Sequence, residues 1–215
     1  LGSVRDVTAL RRVEEALACC RRGLELPGAT PVLHSHLLLN LHYISEPSPE
    51  EIFRAHEQWA ERHGKGQPTT RTGSRRAVRG KRPLRVGYVS SDFRRHSVAY
   101  FIEPILAAHD RAQVEPVCYY DRHRADAVTC RIHQQVESWR DIWTLSDRQV
   151  ADQIQRDQID ILVDLEGHTG RRLTLFAQKP APVQVTYLGY PDTTGLPAMD
   201  YRLTDVNPAF SRITG

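Results

Sequence analysis

Leu84-Arg85-Val86-Gly87-Tyr88-Val89-Ser90-Ser91-Asp92 opens a region where short apolar runs alternate with helical periodicity. The run Leu84 to Val89 and its counterpart Ile159-Asp160-Ile161-Leu162-Val163 are brief and rich in branched residues, as strands covered on both faces tend to be. The pattern predicts strands at 84–90, 115–120, 141–145, 160–165 and 183–188, with a short one at 201–204. Helices at 98–109, 125–137, 147–156 and 171–178 fall between them. Strand and helix in strict succession imply a parallel, doubly wound, Rossmann-like α/β sheet.

Upstream the period is helical. Leu10, Val13, Ala16, Leu17, Cys20 and Leu24 mark one face of a helix closed by Pro27 and Gly28. A second helix runs from about Pro31 to Ile44. Ser48-Pro49-Glu50-Glu51 supplies the cap, first-turn proline and acidic residues of a third, which ends near Gly64. Between the two regions, residues 65–82 carry seven basic side chains, no acid and little to bury, and read as a linker. The expected organisation is a helical segment at 1–64, a basic linker at 65–82 and an α/β unit at 83–215.

Composition excludes several classes. The chain has 215 residues, 40% of them hydrophobic, which is enough to build a core. Its 29 basic and 26 acidic residues leave a net charge of +3, which does not demand nucleic acid. No run approaches the ~18 apolar residues of a membrane span and no secretory signal opens the sequence, so no membrane partner and a cytoplasmic location are expected. Cys19, Cys20, Cys118 and Cys130 form no CxxC, and His34 and His36 point in different directions on their helix, so no metal site is expected.

In doubly wound sheets ligands bind beyond the carboxyl ends of the strands. Residues 90–96, 120–123, 166–169 and 189–195 occupy those ends. The first strand lacks the GxGxxG turn of a dinucleotide site and offers Asp92 and His96 instead, Asp92 reading either as a reacting carboxylate or as a helix cap. Asp164 and Glu166 lie two apart on one strand face, suiting either a salt-bridged strand end or an acid–base pair of the glycosidase kind. The turn Leu188-Gly189-Tyr190-Pro191 suits a sugar, with Tyr190 available for packing, or is an ordinary strand exit.

Together these strings resemble the catalytic region of the protein O-linked N-acetylglucosamine transferase and SPINDLY family. The residues that carry the resemblance are Leu84 to Phe93 with His96, Ile161 to Thr169, Pro180 to Val185, Leu188 to Pro191, and Met199-Asp200-Tyr201 ahead of Thr204-Asp205. The first helix is similar to the last tetratricopeptide helix before that region. The resemblance implies the N-terminal half of a two-Rossmann (GT-B) enzyme, inverting and metal-independent, with no cofactor. Its substrates would be a UDP-sugar donor, UDP-N-acetylglucosamine, and Ser or Thr of a protein or peptide acceptor. His42, Asp92 and His96 would line the reaction centre, and Leu188, Gly189, Tyr190 and Pro191 the sugar pocket. A C-terminal Rossmann half-domain, in the same or a separate chain, would complete the donor site. The family resemblance also leaves a fucosyl donor, an Asn acceptor or a noncatalytic adaptor open, because Arg94-Arg95, Ser97-Val98 and His168 depart from the animal pattern.

Overall fold

The structure, a computed structural model, describes residues 4–44, 47–65 and 82–204. Three helices come first: α1 (Val4–Glu25), α2 (Pro31–Leu41) and α3 (Pro49–His63). The alternating region follows as β1 (Leu84–Ser90), α4 (Ser97–Ala108), β2 (Val114–Tyr120), α5 (Ala127–His133), β3 (Ser138–Asp141) and α6 (Asp147–Arg156). It closes with β4 (Ile161–Asp164), a 3-10 turn at Gly167–Thr169, α7 (Leu173–Ala177), β5 (Val183–Tyr187) and β6 (Tyr201–Leu203). The basic linker, apart from Lys65 and Arg82, lies outside the described residues, as do Asp205 and the residues after it.

The strands form one six-stranded sheet in the order β3-β2-β1-β4-β5-β6, parallel throughout. This is the doubly wound order, and its reversal falls between β1 and β4. Side chains alternate across the sheet with the period of two that the pleat imposes. Val89, Val117, Tyr119 and Leu162 pack on one face with Ile154 of α6 and Phe176 of α7. Val86, Tyr88, Cys118, Tyr120 and Val163 pack on the other with Ile102 and Leu106 of α4 and Ile132 of α5. The helical segment joins the first of these clusters through Leu17, Leu38 and Trp59, so α1 to α3 share a core with one side of the sheet.

Local chemistry sets most boundaries. Ser48 and Glu51 form a reciprocal capping box on α3, and Ser146 with Gln149 does the same for α6. Three expectations are corrected. The third strand lies at Ser138–Asp141 and not at 141–145, because Trp139 packs against Phe93, Tyr120 and His133 on the sheet. Just beyond it Ile142 is buried and its amide still donates to the Tyr120 carbonyl of β2, while Trp143 is exposed, so pairing stops at the turn. Helix α5 stops at His133 and not at Glu137, which leaves the chain room to enter β3. Helix α2 also ends early, with His42 as its C-cap, and this frees the His42 side chain for the site below.

Candidate active site

The crevice at the β1/β4 reversal holds the first group of predicted residues. Asp92 is buried just past β1, with Arg94 Nη2 at 3.0 Å and His96 Nδ1 at 3.3 Å from its carboxylate. Asp92 does not cap a helix. The cap of α4 is His96, whose Nδ1 accepts the Val98 amide at 3.3 Å. The approach to Asp92 is an ion-pair contact that carries charge only when His96 is protonated, whereas the cap uses the Nδ1 lone pair.

The second group lies past β5. His42 Nε2 is 3.1 Å from the Tyr190 hydroxyl and 3.6 Å from Asp192 Oδ2. His56 Nε2 is 2.8 Å from the same hydroxyl, while its Nδ1 is 2.7 Å from the Ile52 carbonyl oxygen. A carbonyl can only accept, so His56 carries its proton on Nδ1 and presents a lone pair at Nε2. The Tyr190 hydroxyl therefore donates to His56, and His42 donates from Nε2 to Tyr190. Burial lowers the pKa of both imidazoles, opposed at each by the Asp192 carboxylate and at His56 also by the Ile52 hydrogen bond, and burial raises that of Tyr190. The chain is held neutral, with one direction of donation.

Backbone geometry puts Tyr190 there. Leu188 adopts φ +75°, a left-handed conformation that a branched side chain rarely takes, at the turn predicted to hold a sugar. Gly189 follows, and a Cβ at this position would overlap the Leu165 carbonyl oxygen. Gly167, at φ +54°, would place a Cβ 2.5 Å from Tyr190 Cβ, so the ring seats only over a glycine. A cavity of about 340 Å³ opens beside this turn, lined by Leu188, Tyr190 and Pro191 with Phe101, Arg202 and Leu203. Gly189 contributes backbone proximity and not lining.

Among the described residues Asp164 and Glu166 have no salt-bridge partner, contrary to one expectation. Asp164 accepts from the Glu166 and Gly167 amides and the Thr186 hydroxyl. Glu166 accepts from the Ser91 amide at 2.5 Å and from the Ser90 and Ser91 hydroxyls. Burial, with the nearby Asp92 charge, lifts Glu166 to about 7. Both carboxylates accept hydrogen bonds that hold the strand ends together. Glu166 and Ser91 border a second cavity of about 270 Å³, also lined by His123, Trp143 and Arg171. Arg171 lies 4.4 Å above the Trp143 ring and pairs with buried Asp121.

The sequence signature described as Glycosyl transferase family 41 matches residues 67–212. The chain belongs to glycosyl transferase family 41. Among family 41 relatives, a probable UDP-N-acetylglucosamine–peptide N-acetylglucosaminyltransferase SPINDLY of Oryza sativa subsp. japonica is 44% identical over 173 residues. That alignment covers 78% of this chain and 19% of the relative, so the chain spans about a fifth of the length of such curated relatives. The UDP-N-acetylglucosamine–peptide N-acetylglucosaminyltransferase of Caenorhabditis elegans is 37% identical over 132 residues, covering 60% of this chain and 12% of the relative. A solved structure of a mutant O-GlcNAc transferase from Thermobaculum terrenum superposes with a TM-score of 0.85 at 39% identity, over 95% of this chain and 40% of that one. The family 41 fold expected from the sequence is the one observed.

Of the predicted residues, the structure pairs His42 with Tyr190 and Asp92 with His96. Sequence reasoning missed His56. Its signal was its place at i+4 from Ile52 and i−3 from Trp59, on the apolar stripe of α3, where a histidine must find a buried partner.

Proposed function

We propose that this chain supplies the acceptor-side half of an inverting protein glycosyltransferase that moves N-acetylglucosamine from UDP-N-acetylglucosamine to Ser or Thr side chains. The observation that carries the reading is the placement of two proton-handling pairs on either side of one strand. Val89 of β1 stands beside Asp164 of β4, which stands beside Thr186 of β5. Asp92 follows β1, and the left-handed turn at Leu188 carries Tyr190 from the end of β5 across to Gly167 beyond β4. A sugar and an acceptor hydroxyl meeting beyond the end of β4 would face His96 and Asp92 on one side and His42 with Tyr190 on the other.

The roles proposed rest on the family resemblance, and the contacts above support them. Leu188, Tyr190 and Pro191, lining their cavity above the packed Gly189 backbone, hold the sugar. A reacting hydroxyl loses its proton to a group within hydrogen-bond reach, and His42, Asp92 and His96 are the candidates. The directional chain through Tyr190 to His56 fixes the His42 ring. The donor is a nucleotide sugar used as substrate, and the chemistry proposed needs no metal and no cofactor.

The remaining partners belong to the same reading. Exposed Phe101 of α4 and Leu203 of β6 line the sugar cavity, and exposed Tyr201 stands on the same strand, the edge of the sheet among the described residues; this apolar rim suits a C-terminal Rossmann half-domain carrying the nucleotide. No helix among the described residues is long and apolar enough to cross a membrane; the cytoplasmic location is part of the proposal.

The test is transfer to protein by the full-length gene product, with UDP-N-acetylglucosamine and GDP-fucose supplied in parallel. Transfer from UDP-N-acetylglucosamine, reduced at least 100-fold by Asp92→Asn in a folded protein, is expected. Transfer from GDP-fucose alone would reassign the sugar, and absence of transfer from both would leave an adaptor as the better reading.

A further inference from the structure

The Tyr190 group has a second property that proton handling does not use. His42, His56 and Asp192 each offer a ligand atom, and these three atoms lie within 4.8 Å of one another. The Tyr190 oxygen adds a fourth, 2.8 Å from His56 Nε2 and 3.1 Å from His42 Nε2, while His42 Nε2 and Asp192 Oδ2 are 3.6 Å apart. Four ligands around a tetrahedral Zn2+, bonded at about 2.0–2.1 Å, stand about 3.3 Å from each other. These three separations lie on either side of that edge, and the remaining edges among His42, His56 and Asp192 are at most 4.8 Å.

We propose that His42, His56, Tyr190 and Asp192 form an inhibitory Zn2+ site. Three further observations converge on it. The outer contacts are those that orient metal ligands: His56 Nδ1 donates to the Ile52 carbonyl at 2.7 Å, and the second oxygen of Asp192 accepts the Thr193 amide at 2.6 Å. This leaves His56 Nε2 and Asp192 Oδ2 aimed inward with their lone pairs. The donor set of two imidazoles and two oxygens suits Zn2+, whereas Mg2+ and Ca2+ take oxygen ligands. The side chains of His42 and Asp192 keep 20% and 13% of their surface open, which provides an entry path.

The charges also balance. As the four bonds form, the Tyr190 hydroxyl proton leaves to solvent and the His42 proton moves from Nε2 to Nδ1. The two anions then neutralise the dication in a partly buried place where an uncompensated charge would be costly. The expectation of no metal came from ligand spacing along the sequence. These ligands come from α2's cap, α3 and the turn after β5, which no local spacing reveals. The inhibitory consequence rests on the function proposed above, because a bound ion would remove His42 and Tyr190 from the acceptor side.

The experiment is Zn2+ titration of the purified protein against a chromophoric chelator, without donor or acceptor, so that binding is read separately from transfer. One equivalent bound at micromolar or tighter affinity is expected. Asp192→Asn, at a partly exposed position that tolerates the change, should weaken it at least 10-fold, as should His56→Gln. His63→Gln and Cys130→Ser, elsewhere on the molecule, should leave it unchanged. Absence of stoichiometric binding, or binding insensitive to Asp192→Asn in a protein with native circular dichroism, would overturn the site. Zn2+ that binds there yet leaves transfer by the full-length enzyme unaffected would overturn the inhibitory role.

Discussion

The Tyr190 hydroxyl lies 2.8 Å from His56 Nε2, joining residues 134 positions apart and tying the turn after β5 to the middle of α3. His56 is fully buried and its other nitrogen is committed to Ile52. Removal of the hydroxyl in Tyr190→Phe leaves a buried acceptor without a partner, a loss of about 1–3 kcal/mol. Urea denaturation of the variant checks it. A change under ~0.5 kcal/mol would mean that the bond contributes little to docking α3 on the turn.

Gly189→Ala should cost about 2–3 kcal/mol, because the new methyl meets backbone and not a flexible side chain. Thermal denaturation measures the loss. Retention of wild-type stability would show that the Leu188–Pro191 turn has room to shift away from Leu165.

His168 accepts from Ser35 at Nδ1 (2.9 Å) and donates from Nε2 to the Thr194 carbonyl (3.0 Å), so the fold needs it neutral. Burial, reinforced by His56, lowers its pKa to about 3. In the unfolded chain it protonates near 6.5, so the folded state is progressively disfavoured as pH falls below that value. Between pH 8 and pH 5 this histidine alone should remove about 2 kcal/mol of stability. The loss should vanish in His168→Gln, whatever that variant's stability at pH 8. Parallel pH dependences of wild type and variant would refute the assignment.

Glu166 acts in the opposite sense. Its folded pKa, raised to about 7 from 4.5, means that the folded state holds a proton the unfolded chain has released, and stability is lost as pH rises from about 4.5 through 7. The stability of Glu166→Gln relative to wild type should therefore improve by about 2–3 kcal/mol between pH 5 and pH 8. Because the His168 and Glu166 trends oppose each other, the two variants separate what the wild-type profile merges.

Asp121 accepts from the guanidinium groups of Arg171 and buried Arg172, each at 2.7 Å. Asp121→Ala leaves the Arg172 charge buried with Asp147 as its one remaining ionic partner among the described residues, and about 3–5 kcal/mol of stability should go with it. A similar loss is not expected for the exposed pair Arg11–Glu15, worth under about 1 kcal/mol. Chemical denaturation of both variants makes the comparison.

What the sequence determined by itself was the fold class and the strand ends that matter. A strand covered on both faces has to be an apolar run, and a strand or helix of five or more residues writes its period into consecutive side chains, so β1, α6 and β5 were legible. Asp92, His96 and the Leu188–Pro191 turn were legible for a related reason: a parallel sheet sends ligands to its carboxyl ends. The tertiary structure alone decided which of these residues meet. It set the order that places β4 between β1 and β5, ended α2 so that His42 faces Tyr190, and turned His56 from a residue of an apolar stripe into the acceptor of a hydroxyl. Those pairings span 134 and 148 positions. They follow from packing a helical segment onto a sheet: the apolar stripe of α3 marks the face that is buried and not the strand end it meets.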